Sequence, residues 1–132
     1  MIECKLKKEL SAAEGKMMLA VDFRLQKGDF VVLYGNSGAG KTSILRMLSG
    51  LLTPENGFIK QESNIWFDAE KKIDLPIQKR EIGLVFQDYA LFPNMNVEEN
   101  IYFSLPKKKD KKNADELIEL MELGNLRKQK IQ

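Results

Sequence analysis

Over the first 25 residues, apolar and polar positions alternate one for one. Ile2, Cys4 and Leu6 oppose Glu3, Lys5 and Lys7, and Leu19, Val21, Phe23 and Leu25 oppose Ala20, Asp22, Arg24 and Gln26. A period of two predicts two half-buried strands, with the polar stretch Ser11–Lys16 as a hairpin connection. Gln26-Lys27-Gly28-Asp29 reads as the next turn. The pattern then becomes a continuous apolar run, Phe30-Val31-Val32-Leu33-Tyr34, which predicts a buried strand. Farther on, Ile44, Leu45, Met47 and Leu48 recur at helical spacing, and Gly50 suits the position just past a helix end.

Thr53-Pro54-Glu55-Asn56-Gly57 is a dense turn signal, and Phe58–Lys60 and Asn64–Phe67 read as short strands. Asp68–Lys72 is a further turn, followed by Ile73-Asp74-Leu75 and a stop at Pro76. Ile82–Phe86 is a second apolar run of core-strand type. Val97, Ile101 and Leu105 then mark an amphipathic helix ended by Pro106. Lys107–Lys112 is a charged linker. Asn113 with Glu116 resembles a capping box that opens a helix with Leu117, Leu120 and Met121 on one face and Gly124 at its end.

Composition narrows this little. The 132 residues are 43% hydrophobic and 30% charged, enough for one globular domain with a core. Lys and Arg exceed Asp and Glu by 21 − 19 = +2, too small an excess to predict a nucleic-acid partner. One cysteine, Cys4, precludes an internal disulfide and reads as a packed strand residue in a reducing cytoplasm. No apolar run approaches a membrane span, and the N-terminus lacks the build of a signal peptide, so a membrane role is expected to come through a partner.

Chemistry concentrates between the first apolar run and the helix after it. Gly35-Asn36-Ser37-Gly38-Ala39-Gly40-Lys41-Thr42 fits G-x-x-x-x-G-K-[ST], with a strand before it and a helix after it. Gly35, Gly38 and Gly40 permit backbone angles closed to other residues, so that successive N–H groups converge on phosphate oxygens at the positive end of the helix. Lys41 would bring a full charge to the outer phosphates, and the Thr42 hydroxyl would face Mg²⁺. A nucleoside triphosphate site is the reading.

At Gln87 a family resemblance emerges. Val85-Phe86-Gln87-Asp88-Tyr89-Ala90-Leu91-Phe92-Pro93-Asn94-Met95-Asn96-Val97-Glu98-Glu99-Asn100-Ile101 closely resembles the Q-loop segment of ABC transporter ATP-binding subunits. The Gly28-Asp29 turn, the P-loop, Ser49-Gly50-Leu51 and Pro54-Glu55-Asn56-Gly57 match that family in order and spacing, over essentially the whole chain. Phe67–Pro76 looks most like the molybdate importer's subunit. The resemblance implies a partial α/β P-loop nucleotide-binding domain with an antiparallel β subdomain and the start of a helical one, divided as 1–87 and 88–132. It implies ATP and Mg²⁺ as cofactors. Gln87 would touch Mg²⁺ and the attacking water, and Ser43 would help hold the inner phosphates. Tyr89–Asn96, with Leu91, Phe92 and Met95, would receive a short helix from a transmembrane permease subunit. The implied setting is a dimer of nucleotide domains on the cytoplasmic face of the cell membrane, serving import of an oxyanion such as molybdate.

Three parts of the family's site have no match. The acidic strand motif is missing: the one Asp-Glu pair, Asp115-Glu116, reads as part of a helix cap. Leu48-Ser49-Gly50 begins like an LSGGQ-type loop but continues Leu51-Leu52 and belongs to the P-loop helix, and there is no histidine for the switch position. Ser11–Met18 also lacks the aromatic residue on which the family often stacks adenine. The chain therefore reads as the N-terminal portion of such a subunit, expected to bind nucleotide without turnover and, with core strands unpaired, to self-associate. Two alternatives remain open: a non-catalytic nucleotide-binding or interaction module, and another P-loop NTPase or kinase. Against the second, no Asn-Lys-x-Asp string and no arginine-rich lid are present.

Overall fold

The computed structural model describes residues 1–12, 15–88, 90–103, 105 and 111–130. By contacts the chain divides into two units, Met1–Leu84 and Val85–Gln132.

In the first unit, strict alternation produces a long antiparallel hairpin of β1 (Ile2–Ala12) and β2 (Gly15–Leu25), in register from Ile2↔Leu25 to Ala12↔Gly15. Its connecting residues, 13 and 14, lie outside the described residues. Cys4 and Leu6 turn inward and are almost fully buried, while Lys5–Asp22 and Lys16–Glu9 pair on the outer face. Burial pushes the Cys4 thiol from 9.0 up to about 12, with the Asp22 charge adding to it, so Cys4 behaves as a small apolar packing residue. β3 (Asn56–Gln61), β4 (Asn64–Asp68) and β5 (Ile73–Asp74) extend the sheet in the order β2-β1-β3-β4-β5, every pair antiparallel. Opposite β3, the register skips one residue of β4: Ile59 pairs with Phe67 and Lys60 with Ile65. Trp66 is thus a bulge, and the bulge lets the consecutive side chains Trp66 and Phe67 both be buried.

Helix α1 (Lys41–Ser49) lays Ile44 and Met47 against this sheet, closing a core of Cys4, Leu6, Ile44, Met47, Ile59, Trp66 and Phe67. Burying Met47 completely contributes about 2 kcal/mol. Gly50, at φ 84, ends the helix as its spacing predicts: its N–H bonds Met47 O (3.2 Å), and the Leu51 N–H bonds Arg46 O (2.8 Å). After β5 a 3-10 turn, Ile77–Lys79, leads to Arg80.

Two expectations about the core are corrected. Neither Phe30–Tyr34 nor Ile82–Phe86 forms a strand; Tyr34 is 99% and Val85 89% exposed. A run of apolar residues predicts a strand flanked on both sides, and the described residues give these two segments no ladder partner.

The second unit is small and polar-laced. Helix α2 (Val97–Phe103) stops two residues before the expected end, and Ser104 and Pro106 lie outside the described residues. Its N-terminus carries the capping box that sequence reasoning put elsewhere. Asn96 Oδ1 accepts the Glu99 N–H (2.9 Å), and Glu99 Oε2 accepts the Asn96 N–H (2.8 Å). The free N–H groups of Val97 and Glu98 go to Gln129 O and Arg127 O. Helix α3 (Lys111–Leu120) includes Asn113 and Asp115-Glu116 in its body, so Asn113 does not cap it and the acidic pair is not part of a cap. Nor does Gly124 end it. Glu122, at φ 57, takes the left-handed position, with Glu122 N–H on Glu119 O (3.0 Å) and Leu123 N–H on Ile118 O (2.9 Å). Ala114 and Ile118 form the buried face. Arg127 binds Asp115 (2.7 Å) and Glu119 (3.0 Å), and Tyr102 donates to Asp115 (2.6 Å). Among the described residues no helix is long and apolar enough to cross a membrane.

Candidate functional site

The loop from Gly35 to Gly40 enters α1 through two left-handed glycines, Gly38 at φ 83 and Gly40 at φ 85. At Gly40 the requirement is double, because a Cβ there would also lie 3.1 Å from the methyls of Leu19. One turn bond, Ala39 N–H to Asn36 O (3.2 Å), rounds the loop, and Ile44 N–H to Gly40 O (2.9 Å) starts the helix ladder. The N–H groups of Lys41, Thr42 and Ser43 find no acceptor among the described residues. No acidic residue stands in the first turn of α1, so nothing on the helix neutralises its positive end.

Lys41 crosses the mouth of this loop. Its Nζ donates to Gly35 O and Asn36 O, both at 2.7 Å, which leaves one of its three protons uncommitted. The ammonium, the free helix amides and the exposed Thr42 hydroxyl are brought together by eight consecutive residues. That donor set suits a polyanion: N–H groups and a cation for the oxygens, and a hydroxyl for a hard metal ion bound with them. Asn36, Ser37 and Ala39 are exposed at the rim, and Ser43 is half-buried in the first turn.

Gln87 lies in the second unit, exposed in a turn with Asp88. Tyr89 lies outside the described residues. Beyond it, Leu91 and Phe92 are 50% and 41% exposed, and Met95 is half-buried. This stretch is held in shape by Asn100, which sequence reasoning missed. Its Oδ1 accepts Phe92 N–H (2.8 Å), while its Nδ2 donates to Phe92 O (3.1 Å) and Asn96 O (3.0 Å). Phe103 packs edge-on against Phe92, ring centres 4.6 Å apart. An apolar stretch kept half out of the core by a dedicated amide suits a docking surface.

Arg80 was missed as well. Its side chain is fully buried and bonds Leu75 O (2.8 Å), Met47 O (3.0 Å), Leu48 O (2.9 Å), Trp66 O (3.4 Å) and Asp74 Oδ1 (3.0 Å). Burial pulls the guanidinium below its ordinary value and Asp74 opposes that pull. No periodicity marks a lone arginine of this kind. The Asn96-x-x-Glu99 box, by contrast, was a readable signal.

A family model described as ABC transporter matches residues 18–132. The chain is 39% identical over 114 residues to the molybdenum import ATP-binding protein ModC of Vibrio parahaemolyticus, covering 86% of this chain and 31% of that protein. It is 43% identical over 111 residues to the spermidine/putrescine import ATP-binding protein PotA of Bacillus anthracis (80% and 32%). It is 41% identical over 108 residues to a probable sulfate/thiosulfate import ATP-binding protein CysA of Chlorella vulgaris (78% and 43%). The chain thus spans about a third of the length of the first two and less than half of the third. Among solved structures, the dimeric post-hydrolysis state of the ATP-binding cassette MJ0796 with ADP and Pi matches with a TM-score of 0.73 at 24% identity. That match covers 98% of this chain and 61% of that one. It shows the fold: part of an ABC-type P-loop nucleotide-binding domain, its antiparallel β subdomain with the beginning of a helical one.

Proposed function

This chain belongs to the ABC transporter family, and from that premise we propose that it forms the ATP-binding part of an importer's energy-coupling subunit. One observation carries the reading: the unsatisfied N–H groups at the start of α1 and the Lys41 ammonium share one glycine-lined loop. The loop amides and Lys41 bind and orient the phosphates of ATP, and Ser43 adds a hydroxyl to the inner ones. The Thr42 hydroxyl would face Mg²⁺, which when bound neutralises charge on the outer phosphates. Gln87 is the residue that the family resemblance would assign to Mg²⁺ and the attacking water in a complete subunit; a neutral amide does this without titrating. This chain has no residue matching the family's catalytic glutamate, so it binds nucleotide and does not turn it over.

The apolar stretch Leu91, Phe92 and Met95 is the face offered to the permease subunit, which would keep the protein at the inner membrane surface. A second nucleotide-binding domain, from another copy, completes the working assembly. The solute is an oxyanion such as molybdate, supported by the likeness of Phe67–Pro76 and of the molybdenum and sulfate/thiosulfate relatives; the polyamine relatives are the competing assignment.

Titrating Mg·ATP into the 132-residue chain tests the site. Binding is expected, weakened about tenfold or more by Lys41→Ala with little change in thermal stability. Equal affinity of parent and variant would sink the phosphate site, and steady Mg-dependent hydrolysis that Lys41→Ala abolishes would sink the non-turnover reading.

A further inference from the structure

The buried arginine at position 80 lies at the opposite end of α1 from the loop. Helix α1 is nine residues long, so its two ends are about 12 Å apart. Its N-terminal amides and Lys41 face the loop. At its C-terminal end, the carbonyls of Met47 and Leu48 receive the two bonds from Arg80 Nη1. The same guanidinium fixes Leu75 O and Trp66 O, at the end of the sheet, and Asp74 on β5 holds Nη2. One planar group therefore bolts the axis of α1 to β4 and β5. A helix held rigidly at its base presents its N-terminal amides in one place, and a helix free to tilt does not.

We propose that Arg80 is a positioning residue for the phosphate loop, setting where the α1 amides and Lys41 stand by fixing the far end of the helix. Arg80 touches no part of the loop itself; it acts through α1. Directly after it begins the segment that runs through Ile82–Phe86 to Gln87, so the base of the phosphate helix and the root of that segment are one anchored point. Simple helix capping does not require the fork: a lysine could bond a carbonyl and complement the helix dipole. Five acceptors, four on α1, β4 and β5 and one just after β5, do require it, because only a guanidinium has donors enough in a fixed plane. This inference rests on the phosphate-site reading above.

The test compares the full 132-residue chain with Arg80→Lys, which keeps the charge and loses the fork. Thermal unfolding, Mg·ATP titration under conditions where both are folded, and amide hydrogen exchange along α1 are measured together. Ile59→Val, which thins the core without touching the α1 carbonyls, reports what destabilisation alone does. Arg80→Lys is expected to weaken Mg·ATP binding roughly fivefold and to speed exchange of the Ile44 amide, at the loop end, by a similar factor, while Ile59→Val leaves affinity unchanged. Affinity within about twofold of the parent, with faster exchange confined to the last turn, overturns the proposal. Should Arg80→Lys fail to fold, Asp74→Ala at its half-exposed site removes the acceptor that holds Nη2; a folded Asp74→Ala protein with unaltered affinity and Ile44 exchange overturns it equally. If the parent and Lys41→Ala bind Mg·ATP alike, the phosphate reading fails, and Ile44 exchange alone decides whether Arg80 positions the loop.

Discussion

The guanidinium of Arg80 occupies the space that a side chain on Gly50 would need: a Cβ on Gly50 would stand 2.8 Å from Arg80 Cζ. Ordinarily the end of an arginine would move aside. Here it is held by five acceptors inside the protein, so the conflict cannot relax cheaply. Gly50 is also left-handed, at φ 84. Gly50→Ala is therefore expected to cost about 2–3 kcal/mol, combining strain with loosened buried hydrogen bonds. Chemical denaturation of the variant measures it; a loss no larger than that of an exposed surface substitution would show that Arg80 yields freely.

Gly57 presents a harder limit. It pairs with Leu6 across β1 and β3, and a Cβ there would stand only 1.8 Å from the Lys5 carbonyl oxygen. Backbone cannot step aside without parting the two strands. Gly57→Ala is expected to destabilise the first unit by about 3 kcal/mol or more. Trp66 is buried in the core that this pairing supports, so its fluorescence follows the loss during urea unfolding. An unfolding midpoint equal to that of the parent contradicts the close approach.

In the second unit one residue is worse than glycine would be. Glu122 holds the left-handed position that closes α3, and its carboxylate has no partner among the described residues. Glu122→Gly should stabilise that unit by about 0.5–1 kcal/mol, since relief of strain exceeds the entropy cost of glycine. Thermal scans followed by helical circular dichroism report it, and a lower midpoint would refute it.

The sequence revealed its local chemistry well. The hairpin alternation, the Gly50 helix end and the glycine-lysine loop all depend on residues within a few positions of each other, and each was legible. The bonds that fix the site join distant positions: Arg80 reaches back 33 residues to Met47, and Arg127 reaches 12 residues to Asp115. Nothing periodic announces such partners. The bulge at Trp66 hid two consecutive core residues from a pattern of two. Phe30–Tyr34 and Ile82–Phe86 misled in another way. Their composition states what company those segments need, and the described residues do not supply it.

The Tyr102–Asp115 hydrogen bond adds to the pH dependence of the second unit on both sides. Tyr102, which donates at 2.6 Å, is the main reason the Asp115 carboxyl titrates below its ordinary 3.8; the Arg127 bond is the next. A carboxyl lowered on folding stabilises fully above its unfolded value and loses that contribution as pH falls through the lower folded one. The acid flank therefore lies below about pH 4. The same bond raises the Tyr102 hydroxyl above its ordinary 10.0, chiefly because it faces the Asp115 carboxylate. A raised group stabilises fully below its unfolded value and loses that contribution as pH climbs through the folded one, so the alkaline flank begins near pH 10. Urea midpoints followed by circular dichroism from about pH 2 to about pH 11 should show a plateau between the flanks. Tyr102→Phe should remove this hydroxyl's part of the alkaline flank and shrink the acid one, which Arg127, with the Lys111 charge, then sustains. Asp115→Asn should remove this carboxyl's part of the acid flank and narrow the alkaline one. An acid flank unchanged in Tyr102→Phe would mean that the phenol does not govern the carboxylate, and that the cations Arg127 and Lys111 carry the coupling.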